Sequence, residues 1–119
     1  MVIISEVMKS FSKIKENYLF RRAYSKGNSI VTPYAVIYVL KNKGNNLRLG
    51  ITAGKKIGKA VARNRAKRVI LAAFRSCMAQ INGGYDFVIV ARQRILTVKS
   101  TAVAKVFLSG LEKGGYLKG

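Results

Sequence analysis

From Lys55 to Arg68 the chain reads Lys-Lys-Ile-Gly-Lys-Ala-Val-Ala-Arg-Asn-Arg-Ala-Lys-Arg, with seven basic residues in fourteen and no acid. Blocks of like charge this dense are usually disordered, but this one has internal order. At about 100° per residue, Ala62, Ala66, Val69, Ala73 and Cys77 share a narrow arc, with Ile70 and Phe74 on its flank. Asn64, Arg68, Leu71 and Arg75 point the other way, and Arg65 and Lys67 occupy the shoulders. Arg63 falls near the apolar boundary, where its stem packs and its head reaches out. The pattern predicts a helix over about 59–81 that docks on a sheet through small apolar residues and turns a basic face outward.

The basic face is not balanced elsewhere. Lys and Arg number 23 against Glu6, Glu16, Asp86 and Glu112, a formal net charge of +19. Between Asn17 and Tyr85 there are fourteen basic residues and no acid. Repulsion within that region must be screened by counterions or by a partner, and a polyanion is the economical choice. An acidic membrane surface is the rival, but no segment approaches the ~20 apolar residues of a spanning helix, so no membrane partner is expected. The N-terminal Met-Val-Ile-Ile-Ser is too short for a signal sequence and lacks preceding positive charge. With the single Cys77, which falls on the apolar side of the central helix, this makes a reducing cytoplasm the expected compartment.

The chain has 119 residues, about one domain, and half of them are hydrophobic. Residues 1–12 read as a flexible N-terminal extension and 13–115 as a single domain that carries the polyanion-binding surface; Met8 is an alternative start to Met1. Residues 15–25 suit a helix on which Phe20 and Tyr24 share a face beside Arg21 and Arg22. The Val/Ile/Tyr-rich run 30–41 predicts a strand, with Pro33 marking an edge or a bend. The turn residues 42–46 then predict a hairpin to a strand over 47–53. Tyr85–Ala91 reads as a short strand. A last helix is expected over 98–113, with Val103, Val106, Phe107 and Leu111 toward the core. The expected fold is α+β, a two-layer sandwich with three helices on a small mixed sheet in the order α-β-β-(β)-α-β-α.

Two constellations could bind nucleic acid. Arg63-Asn64-Arg65 opens the central helix, where free backbone N–H groups and the positive dipole end favour phosphate. Its arginines add forked donors matched to phosphate oxygens, and Lys55, Lys56 and Lys59 feed the same surface. The second constellation is Phe20, Tyr24 and Tyr38. Pattern alone favours core packing for these rings, yet the two hydroxyls need water or a partner, which keeps base stacking open. Catalytic constellations are missing: there is no His, no Cys pair and no nucleotide-binding glycine loop, and the four carboxylates are scattered. If the chain serves an enzyme, the chemistry resides in the partner.

The run Leu49–Arg68 closely resembles the signature of the bacterial ribonuclease P protein family. Phe20, Tyr24-Ser25-Lys26-Gly27, Tyr38 and Tyr85–Arg92 support the match, which spans about residues 15–113. The resemblance implies a small subunit bound to a large catalytic RNA that removes the 5′ leader of precursor tRNA. Magnesium would be bound mainly by that RNA, with no protein-borne cofactor and no obligate protein partner. Carried over, Lys55, Lys56, Lys59, Arg63, Asn64, Arg65, Lys67 and Arg68 would bind the catalytic RNA. Phe20, Tyr24 and Tyr38 would line the leader cleft. The family also implies a left-handed βαβ crossover. Leu71 stands where the family usually carries a basic residue, and Gly54 where it often carries Ser. A structural RNA-binding protein, such as a ribosomal component, is the alternative reading. A DNA-binding module lacks a helix-turn-helix or zinc pattern.

Overall fold

The chain turns from helix α1 (Asn17–Lys26) through Gly27 straight into strand β2 (Asn28–Val31). The apolar run that follows does not continue as one strand. Pro33 has no N–H to give a ladder. Thr32 closes a turn around it, its hydroxyl donating to the Ala35 carbonyl and accepting from the Ala35 N–H at 3.0 Å. Strand β3 (Ala35–Lys41) therefore folds back antiparallel on β2, pairing Asn28 with Val39 and Val31 with Val36.

The computed structural model describes residues 11–14 and 17–118. Met1, Met8 and most of the expected extension lie outside the described residues, as do Lys15 and Glu16 at the start of the expected first helix. Phe11–Lys13 forms strand β1, parallel to β4 (Leu47–Thr52), so pairing begins inside the stretch that the sequence assigned to the extension. At the other end Leu117 bridges to Ile81, beyond the expected boundary at 115.

The hairpin expected between β3 and β4 does not form. The sheet order is β1-β4-β5-β3-β2, and β5 (Tyr85–Ala91) lies between them. It runs antiparallel to β3 and parallel to β4. The physical reason lies in β5 itself, where Asp86 through Ile89 are all buried, the near-continuous burial of a central strand covered on both faces. The 42–46 connection spans the gap instead, tied to the strand it crosses by Asn42 N–H to Gly84 O (2.8 Å) and Gly84 N–H to Asn46 O (3.1 Å).

Helix α2 (Ala60–Cys77), continued by a 3-10 turn at Met78–Gln80, joins β4 to β5; helix α3 (Ser100–Gly114) follows a second such turn at Gln93–Thr97. Both pack on one face of the sheet. Alternation sends Ala35, Ile37, Val39, Leu47, Leu49, Phe87, Ile89 and Ala91 to this side. Phe74 on α2 and Phe87 on β5 meet edge to face with centroids 5.7 Å apart. Ile70 and Phe74, expected on the flank, are fully buried, while Ala62 and Val69 lie only partly covered. The stripe is rotated toward its larger members because they fill more of the layer. Val106 is likewise half-buried, unlike Val103, Phe107 and Leu111. The opposite face carries a second, smaller cluster: Ile14, Leu19, Ala23 and Val88, with Phe20, Tyr38 and Val90 packed around it.

Candidate nucleic-acid interface

The basic helix is presented as its pattern predicts. Lys55, Lys56, Lys59, Asn64, Arg65, Lys67 and Arg68 are exposed, and Arg63 is half-buried. Its Nε is buried without a hydrogen-bond partner, so the stem is packed and only the end of the guanidinium is free to donate outward. The lysine loop before α2 is a single 3-10 turn, Lys55–Ile57. Ile57 anchors it in the core. Gly58 closes it at φ +139°, a conformation that side chains with a Cβ rarely adopt.

One feature of the motif differs from expectation. The helix begins at Ala60, and the Arg63 N–H already bonds to the Lys59 carbonyl at 3.0 Å. Arg63-Asn64-Arg65 therefore sits one turn into α2. The free N–H groups belong to the turn before it, beside Lys55, Lys56 and Lys59. The exposed Val61 stands among these cations at 79% accessibility.

The aromatic trio lies on the other face of the sheet. Tyr24 is exposed; its hydroxyl is 3.0 Å from Thr52 Oγ1, and its ring meets Tyr38 edge to face at 5.1 Å. Helix α1 covers Val88 through Leu19 and Ala23 and leaves Val36, Tyr38, Leu40 and Val90 half-exposed. The result is a half-open cleft between α1 and the sheet, under a helix that also carries the exposed Arg21 and Arg22. Phe20 and Tyr38 are half-buried and Tyr24 is exposed. A Cβ on Gly50 would come within 2.7 Å of the Phe20 ring, so the bare backbone of β4 is what lets that ring settle.

Strand β1 pairs with β4 only as far as Lys13, Ile14 adds one more bond to the Leu49 carbonyl (2.9 Å), and a cavity of about 280 Å³ opens beside Ile14 and Gly50. Phe20, Gly50, Ile51 and Leu71 form its apolar lining, and Lys13, Lys67 and Arg68 its cationic one. Leu71 was expected on the exposed face. It is half-buried against the main core instead, because the helix leans its side chain toward this edge. This slot was not legible in the sequence, since it depends on where a three-residue strand stops.

Sequence reasoning also missed Arg48. It donates from Nε to Asp86 Oδ1 at 2.7 Å and from Nη2 to Oδ2, a forked pair with a buried carboxylate. Asn42 adds a third donor to Oδ1 at 2.9 Å. Asp86 thus ties together the 42–46 connection, β4 and β5. Among the described residues no cluster of three or more His, Cys, Asp or Glu could hold a metal ion. The donor chemistry agrees, because the Asp86 oxygens are already committed and Glu112 stands alone on the exposed side of α3. These residues do not fit a protein-borne magnesium site. Cys77 is buried, and desolvation pushes its thiol pKa up, which keeps it neutral and unreactive. No helix among the described residues is long and apolar enough to cross a membrane.

Comparison with known proteins accords with this geometry. The family model described as Ribonuclease P matches residues 8–114. The ribonuclease P protein component of Listeria monocytogenes is 37% identical over 112 residues, covering 93% of this chain and 94% of the relative. That of Clostridioides difficile is 45% identical over 80 residues, covering 66% and 70%. The solved ribonuclease P protein of Staphylococcus aureus superposes with a TM-score of 0.77 at 32% identity, covering 89% of this chain and 97% of that one. That of Thermotoga maritima gives 0.75 at 28% identity, covering 86% and 96%. The chain belongs to the ribonuclease P protein family, the protein components of the endoribonuclease that matures the 5′ ends of tRNA.

Proposed function

We propose that the exposed face of α2 and the lysine turn before it bind the catalytic RNA of ribonuclease P, and that the cleft under α1 holds the single-stranded 5′ leader of precursor tRNA. In this reading Lys55, Lys56, Lys59, Arg63, Asn64, Arg65, Lys67 and Arg68 engage the RNA, and Phe20, Tyr24 and Tyr38 engage the leader. The observation that carries it is the edge cavity. Phe20 from the aromatic set and Lys67 and Arg68 from the basic set line one and the same space. Two constellations found separately in the sequence are therefore neighbours, and one strand of RNA can pass from one to the other.

Each part has a physical task. The cations offset phosphate repulsion where the leader approaches the catalytic RNA, which lessens the complex's need for metal ions. The Tyr24 and Tyr38 rings offer stacking surfaces to unpaired bases without selecting sequence. Magnesium would be bound mainly by the RNA component, so the protein's share of catalysis is binding and orientation. The same reading places the protein in the cytoplasm with no obligate protein partner.

Cleavage of a precursor tRNA by a bacterial ribonuclease P RNA at low magnesium, with and without this chain, tests the proposal. A large gain only when RNA and protein are both present is expected, with none from the protein alone. No gain with correctly folded protein would overturn it.

A further inference from the structure

Arg68 lines two hollows. On one side is the edge cavity; on the other a groove of about 380 Å³ runs between α2 and the residues that lead into α3. Arg65, Arg68 and Lys99 stand at its rim, all three exposed. Val69, Ala72 and Val98 form the lining against which their stems can rest.

Three cations from two separate elements converge here, and among the described residues no carboxylate lies nearby. Asp86 is committed to Arg48 and Asn42. Glu112, the other described acid, is twelve residues along α3 from Ser100, about 18 Å down the helix axis and beyond a Debye length. In the free protein the three charges repel one another, and nothing on either element relieves them. The groove is open along its length and edged by cations, which suits an extended polyanion.

We infer that this groove holds phosphates of the catalytic RNA's backbone, making Lys99 an RNA-binding residue and carrying the RNA contact across Arg68 from α2 onto the start of α3. The inference rests on the reading of α2 as the catalytic-RNA face, and it extends that face to an element the basic motif does not include.

The test is the affinity of the whole protein for ribonuclease P RNA alone, measured over a range of salt for wild type, Lys99→Ala, Lys105→Ala and Arg68→Ala. Lys105 is an exposed lysine of α3 outside the groove and controls for the loss of one positive charge. Lys99→Ala is expected to weaken binding about five- to tenfold at 0.1 M salt and to lower the slope of log affinity against log salt by about one. Lys105→Ala should do neither. Equal effects of Lys99→Ala and Lys105→Ala would overturn the groove, since net charge would then explain both. A normal Lys99→Ala beside a weakened Arg68→Ala would overturn the groove alone. Unchanged binding in both would bring down the α2 reading with it. A Lys99→Ala defect seen only once precursor tRNA is added would assign the groove to the substrate and overturn its assignment to the catalytic RNA.

Discussion

The two faces of the sheet are drawn from the same alternating strands and are finished in opposite ways. On β3, Ala35, Ile37 and Val39 are buried to within 3% accessibility, while Val36, Tyr38 and Leu40 between them stay half-exposed. Toward the first face, α2 and α3 together bury Ala66, Ile70, Ala73, Phe74, Cys77, Val103, Phe107 and Leu111. Toward the second, α1 buries only Leu19 and Ala23. One face is closed and holds the fold, and the other is clipped by a single short helix and left partly open. Tyr24 and Tyr38 can stay accessible on the second because the first carries the stability.

Substitution on each face can break this comparison. The largest effect is expected from Phe74→Ala, which empties the centre of the closed face and should cost about 3–5 kcal/mol in denaturant unfolding. A loss below about 1 kcal/mol would show that the core lies elsewhere. Arg48→Ala leaves the buried Asp86 carboxylate with Asn42 alone; a loss of about 1.5–3 kcal/mol is expected from the same measurement. Gly50→Ala drives a methyl into the Phe20 ring and should cost about 1–3 kcal/mol. It should also weaken binding of precursor tRNA by the holoenzyme, because the ring it displaces lines the edge cavity. Full stability in Gly50→Ala would mean that α1 yields freely.

The open face predicts a split between stability and binding. Tyr24→Ala should cost only about 0.5–1.5 kcal/mol in unfolding, through the lost edge-to-face contact with Tyr38. Holoenzyme affinity for a leader-bearing substrate should fall by about 1–3 kcal/mol, while affinity for mature tRNA stays the same. Equal losses for both tRNAs would remove Tyr24 from the leader site. The smallest effect concerns Cys77. Its burial and raised pKa predict no alkylation of the native protein at pH 8 and rapid alkylation once it is unfolded, read by intact mass.

The basic face of α2 was legible because a helix's period is local: residue spacing alone separates Ala66 and Ala73 from Asn64 and Arg68. The three helices and the β3 and β5 runs were readable for the same reason, as was the family, from a motif contiguous between Leu49 and Arg68. Strand neighbours were not. The turn at 42–46 has hairpin composition, yet β5 takes the place beside β3, because the most completely buried strand claims the centre of the sheet and local turn chemistry has no say in that. Strand β1 escaped notice because three residues show no reliable alternation.

The sequence by itself determined what this chain displays: a helix with a cationic side, rings beside arginines, too few acids to neutralise them, and the family to which they belong. The tertiary structure decided how those pieces meet. It drew Leu71 inward against the core, committed Asp86 to Arg48, brought Phe20 to the same cavity as Lys67 and Arg68, and set Lys99 across a groove from Arg65. Periodicity and charge are properties of neighbouring residues along the chain. A cavity or a groove is a relation between elements distant in sequence, fixed only when the sheet order and the packing of its two faces are settled together.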